Sequence, residues 1–123
     1  MTVKQTEMGD TVMVLDEPIM LEDLKSISKN WYPDRIKFCV DRKRKRVAVD
    51  GEVHIDMEYE LIDDGSDIED VFGGDILLEP VSVLWESHSN IERNRILGTG
   101  TGRKLEDQKT IDELFEILKY WIR

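Results

Sequence analysis

The stretch 51-GEVHIDMEYELIDDGSDIED-70 admits two foldings, and the choice between them sets the architecture. Taken two at a time, Val53, Ile55, Met57, Tyr59 and Leu61 alternate with Glu52, His54, Asp56, Glu58 and Glu60, as in a half-buried strand. Taken three and four at a time, Ile55, Tyr59 and Ile62 share a helical face. Asp56 is then a good N-cap, Glu58 and Glu60 suit the positive first turn, and Gly65 supplies a left-handed stop. Alternation by itself favours the strand. The stretch also holds nine acids, one of two histidines and no lysine or arginine. It is either a chemical site or the solvent side of ordinary secondary structure.

Outward from it, the signals are plainer. TVMVLD (11–16), IKFCV (36–40), VAV (47–49), DILLEP (75–80) and VSVLWE (81–86) read as strands, and SNIE (89–92) as an extension of the sheet. From Pro18, Met20, Leu24, Ile27 and Trp31 recur at helical spacing until Tyr32-Pro33 stops them. Asp50-Gly51 is a turn, and LGTGTGRK (97–104) is a glycine-rich connection. In the last element Ile111, Leu114, Phe115, Leu118, Trp121 and Ile122 form an apolar stripe, with Thr110 and Glu113 as a capping box. Trp85 and Trp121 fall within apolar patterns and read as core anchors.

The chain has 123 residues, 40% of them hydrophobic and 36% charged, enough to bury a core within one domain. Residues 1–10 read as a flexible tail and 11–123 as a single α+β domain. No apolar run approaches the roughly 18 residues of a membrane span. One cysteine excludes an internal disulfide and fits a reducing, cytoplasmic setting. The net charge of −10 disfavours non-specific binding to nucleic acid or anionic membranes. That average conceals a division: residues 42–46 read RKRKR, while 52–80 carry eleven acids and no lysine or arginine.

Taken together, DEPIMLEDLKSIS, VDGEVHIDMEYELIDDGSDIEDVFGGDILLEP and LGTGTGRKLED resemble a small prokaryotic family of uncharacterised proteins. That family is marked by a Gly-Glu-Leu-His-x-Asp segment and a following Gly-Ser. The motif stands here as Gly51-Glu52-Val53-His54-Ile55-Asp56 with Gly65-Ser66, and the resemblance runs over about residues 12–122. It implies a helix from about Asp56 to Asp64 and overrides the alternation. The chain departs from the family pattern at Phe72, Asp75, Asn90-Ile91-Glu92-Arg93 and at Met20, where a hydroxyl cap is usual. The resemblance implies a fold and no activity.

Candidate sites each have a plain structural alternative. His54 between Glu52 and Asp56 has the makings of an acid–base group, or it simply bonds a turn. Cys39, His54 and His88 lack close ligand spacing, so no zinc site is expected, and Cys39 reads as a buried hydrophobe. With Gly65 at the sixth position, Ile62 and Val71 occupy ligand places, which excludes a calcium loop of the EF-hand type. The glycine loop ending in Arg103-Lys104 could cradle an anion but lacks Walker spacing. Arg42, Lys43, Arg44, Lys45 and Arg46, with Arg35 and Lys37 nearby, could meet phosphates or simply solubilise a hairpin tip.

The expected fold is a mostly antiparallel sheet of about five strands against two amphipathic helices, with a short extra helix at one end. The expected function is a small binding or interaction protein without catalysis, its pocket formed where Glu52, His54 and Asn90 approach Arg103. One alternative is a nucleic-acid-associated regulator or toxin–antitoxin component using the basic hairpin. Another is a small hydrolase or nucleotide-handling enzyme using His54. No metal or cofactor is expected. The partner is left unknown, with a protein partner or homodimer ahead of nucleic acid and no membrane.

Overall fold

In the computed structural model, which describes residues 2–5 and 11–123, the opening stretch coils. The elements in chain order are β1 (Thr2–Gln5), β2 (Thr11–Val14), α1 (Leu21–Ile27), β3 (Arg35–Asp41) and β4 (Arg46–Val49). There follow α2 (His54–Asp63), a 3-10 turn (Ile68–Asp70), β5 (Val71–Leu78), β6 (Val81–Leu84), α3 (Asn90–Leu97) and α4 (Gln108–Trp121). The strands form one sheet in the order β1-β2-β4-β3-β5-β6, with every neighbouring pair antiparallel. The five strands read from the sequence are β2 to β6. Of the expected tail, Thr2–Gln5 is β1, and residues 1 and 6–10 lie outside the described residues.

Both faces of the sheet are covered. On one, Met13, Leu15, Ile36, Phe38, Val40, Val47, Val49 and Ile76 pack against Leu24 of α1 and Leu114, Leu118 and Trp121 of α4. Trp85 meets Phe38 edge-on at 5.1 Å, and the Trp121 indole donates to the Lys45 carbonyl at 2.8 Å, so both tryptophans anchor the core. On the other face, Val12, Val14, Cys39, Ala48 and Val71 pack against Met57 and Leu61 of α2. Each such buried aliphatic contributes about 1.5–3 kcal/mol. The extra helix therefore lies across the second face and not at one end.

Four local expectations change. α1 stops at Ile27 because the Asp50 carboxylate takes Ser28 Oγ at 2.7 Å and the Lys29 N–H at 2.8 Å, while Trp31 donates to the Asp50 carbonyl. α2 begins at His54 with Val53 at the cap, two residues before the expected Asp56 cap. α4 begins a turn early because Asp107 accepts from both the backbone and hydroxyl of Thr110, which replaces the Thr110–Glu113 box.

The fourth is SNIE, which leads into α3 and adds no strand. The buried side of α3 is polar: Asn90, Arg93 and Asn94. Arg93 donates to the carbonyls of Val71 and Ile68, and Asn94 to those of Gly102 and Lys104. Hydrogen bonds therefore seat α3 where other helices use apolar contact. Asn94 thereby pins the glycine loop, and Gly98 closes the helix at φ 74°.

Candidate functional site

A cleft of about 530 Å³ opens between the start of α2, strands β3, β5 and β6, the turn after β6, and Arg103 of the glycine loop. Its floor is built by strand register. Lys37 on β3 stands directly opposite Asp75 on β5, and Arg35, two residues back, points to the same face. Asp75 is buried and meets Arg35 Nη1 at 2.9 Å, Lys37 Nζ at 3.5 Å and His54 Nε2 at 3.1 Å. Burial by itself would raise the Asp75 carboxyl. The hydrogen bond and charge of His54, with Lys37 and Arg35, more than offset it and hold the group below the usual carboxylate range.

His54 is fixed by two acceptors. Nε2 lies 2.8 Å from the Gly74 carbonyl as well as 3.1 Å from Asp75 Oδ1, so Nε2 carries a proton in either state of the ring, and in the neutral ring Nδ1 is the acceptor. The close approach depends on Gly73. A Cβ there would stand 2.6 Å from Ser87 Oγ and 3.1 Å from His54 Cδ2. Asn90, fully buried, accepts from the Gly73 N–H and donates to the Gly73 carbonyl, both at 2.9 Å, and so holds the strand in place.

The walls carry further chemistry. Glu58, one helical turn after His54, is pushed upward by burial, with Arg93, His54 and His88 offsetting only part of that. Ser87 and Ser89 bond to each other at 2.8 Å. The Tyr32 hydroxyl donates to the Glu52 carbonyl at 2.6 Å, and Lys37 lies 4.9 Å from the centre of its ring. Arg103 is set by its backbone, whose carbonyl accepts from the Ser87 N–H at 3.1 Å. The Cys39 thiol, raised well above its ordinary range by burial, meets the His54 carbonyl at 3.6 Å and otherwise packs in the apolar cluster under α2, a core group.

Of the four residues expected at a pocket, His54 and Arg103 line this cleft together. Asn90 sits behind the wall as a support, and Glu52 reaches the rim through its carbonyl, with its side chain exposed. Sequence reasoning missed Asp75 and placed Arg35 and Lys37 with the basic run. The two-residue spacing of Arg35 and Lys37 and a lone acid at the head of an apolar run were the available signals.

The basic hairpin looks different in three dimensions. Arg42 meets Glu113 at 2.7 Å, Arg44 meets Asp64 at 3.1 Å, and Arg46 meets Asp16 at 3.4 Å. The turn itself is tied by Asp41, whose Oδ1 accepts the Lys43 and Arg44 N–H groups at 2.9 Å. A hollow of about 680 Å³ beside it is lined by Arg42, Lys45, Glu113, Glu116, Tyr120 and Trp121 among others, so its acids balance its bases.

Among the described residues no cluster of three or more His, Cys, Asp or Glu is arranged to hold a metal ion, and no helix is long and apolar enough to cross a membrane. Residues 13–120 match the profile of a family described as a protein of unknown function, DUF5674. No curated protein matches the chain, and no solved structure does.

Proposed function

The chain belongs to the DUF5674 family, and from that premise we propose that it binds a small ligand carrying an oxyanion, a carboxylate or a phosphate, in the cleft at His54. One observation carries the reading: at the floor a single carboxylate, Asp75, faces two permanent cations and an imidazole. Arg35 is shared with Asp34 at 3.0 Å, and Glu58 and Glu86 also line the cleft, so the cation left over for a ligand is Arg103, in a concave site where such charge acts strongly. Arg103 and His88 at the rim form no ion pair among the described residues and stand ready to meet the same anion. Val53, Ile55, Leu84 and the Tyr32 ring give the rest of the ligand an apolar wall.

The test is a thermal-shift titration with inorganic phosphate and with succinate. Stabilisation grows with ligand concentration, reaching about 2.7 kcal/mol at a hundredfold excess over Kd. Arg103→Ala and His54→Ala are expected to abolish the shift. An undiminished shift in both variants overturns the reading.

A second reading is favoured by the His54–Asp75 contact. A carboxylate that fixes the Nε2 proton leaves Nδ1 to accept one, the arrangement of a general base. Glu58, pushed upward in the same cleft, would supply the matching acid. Hydrolysis of p-nitrophenyl acetate or phosphate, lost in His54→Ala and in Glu58→Gln, would support it. Equal background rates in wild type and both variants would dismiss it.

A further inference from the structure

α2 is turned inside out. Its sheet-facing and cleft-facing sides bury Asp56, Glu58 and Glu60 beside Met57 and Leu61. Its outer side presents Ile55, Tyr59 and Ile62, which are 46%, 60% and 36% exposed. These three follow one another at i, i+4 and i+7 and so form a single stripe along the helix. Ile68, 52% exposed, follows just beyond the helix end. Scattered apolar residues on a surface are ordinary, but a continuous stripe on a helix whose acids point inward is the mark of a covered face.

We propose that this outer face of α2 docks a basic amphipathic helix of a partner protein. Charge identifies the occupant. Exposed Glu52, Asp63, Asp67 and Glu69 flank the stripe, and no lysine or arginine occurs from residue 47 to 92. An apolar stripe with an acidic border is complementary to a helix with leucine-like anchors on one side and lysine or arginine beside them.

Two other occupants fit less well. A second copy would set the same acids against each other, which costs energy. An anionic lipid surface would be repelled by the same border. The chain's own hairpin is also occupied: Arg42, Arg44 and Arg46 already have carboxylate partners, and Asp64, at the helix end, is one of them.

The surface is separable from the cleft. Val53 and Ile55 line the cleft, but Tyr59 and Ile62 do not, so the test uses the latter pair. Isotope-labelled full chain is titrated with a synthetic lysine–leucine amphipathic helix of about 14 residues, long enough to coil once bound. A scrambled peptide of the same composition serves as control.

The expected result is a set of amide shifts confined to α2 and the turn after it, with the amphipathic peptide binding more tightly than the scrambled one. Tyr59→Ser/Ile62→Ser is expected to weaken it at least about tenfold, or 1.4 kcal/mol. Because both side chains are exposed, the melting temperature of that variant is expected to stay unchanged. Equal binding of the two peptides, or unchanged affinity in the variant, overturns the proposal. So does a concentration-dependent dimer of the free chain that the variant abolishes, since a second copy would then cover the stripe. Phosphate binding in the cleft is read separately and stands or falls without this result.

Discussion

The cleft and the basic hairpin are both built around cations, and they use them in opposite ways. In the hairpin, five consecutive basic residues sit side by side, and the fold answers Arg42, Arg44 and Arg46 with Glu113, Asp64 and Asp16. Only Lys43 and Lys45 are left without an ion pair among the described residues. In the cleft the cations come from separate places, Arg35 and Lys37 from β3 and Arg103 from the loop, with His54 from α2. There Asp75 ties Arg35, Lys37 and His54 together, Arg35 also meets Asp34, and Arg103 is left without an ion pair among the described residues. A dense run of charge in a sequence is easily neutralised by nearby carboxylates. Convergence of distant residues on one concavity is what sets an unpaired cation beside other polar groups that can share a ligand with it.

The comparison breaks most readily at Asp75. Asp75→Ala leaves Arg35, Lys37 and His54 facing one another without their shared anion, and a loss of about 3 kcal/mol is expected in urea unfolding. A loss below about 1 kcal/mol, typical of a surface pair, would mean that Asp75 does not organise the floor. Gly73→Ala comes next. Its new methyl would press on Ser87 and on the His54 ring, and about 1–3 kcal/mol of destabilisation is expected, with phosphate binding weakened alongside.

Acidity sharpens the contrast within the cleft. Asp75 is held low when folded, so its contribution is complete above the ordinary aspartate range and disappears as pH falls through its folded value. Glu58 has the reverse sign. Its folded value is raised, so its contribution is complete below the ordinary glutamate range and is lost as pH rises through the folded value. Stability measured against pH is therefore expected to show a shallower acid-side fall in Asp75→Asn, and a shallower fall above the glutamate range in Glu58→Gln, where Asp50, also raised by burial, still contributes. The smallest effect belongs to the hairpin tip. Lys43→Ala/Lys45→Ala is expected to move stability by no more than about 0.5 kcal/mol and to leave phosphate binding unchanged.

Much of the fold was legible because apolar spacing carries it. The strands β2 to β6, the stripe of α4 and the two tryptophan anchors all follow from burial of side chains already apolar in the sequence. α3 was not legible, since its buried side is Asn90, Arg93 and Asn94 and their partners are backbone carbonyls from elsewhere in the chain. α2 misleads for a related reason. The helix was inferred from family resemblance against its own alternation. Three of its carboxylates, Asp56, Glu58 and Glu60, lie on the buried side, where apolar spacing alone would not place them. At the site, His54 and Arg103 could be singled out as polar residues at loop ends. Asp75 could not be joined to Lys37 without knowing that β3 and β5 are neighbours in that register.

The most direct test places both regions in one experiment: amide shifts of the full chain followed during titration with inorganic phosphate. Saturable shifts at His54, Ser87–Ser89 and Arg103, with residues 42–46 unmoved, are the result expected of the cleft. Shifts centred on residues 42–46, with the cleft silent, would contradict it.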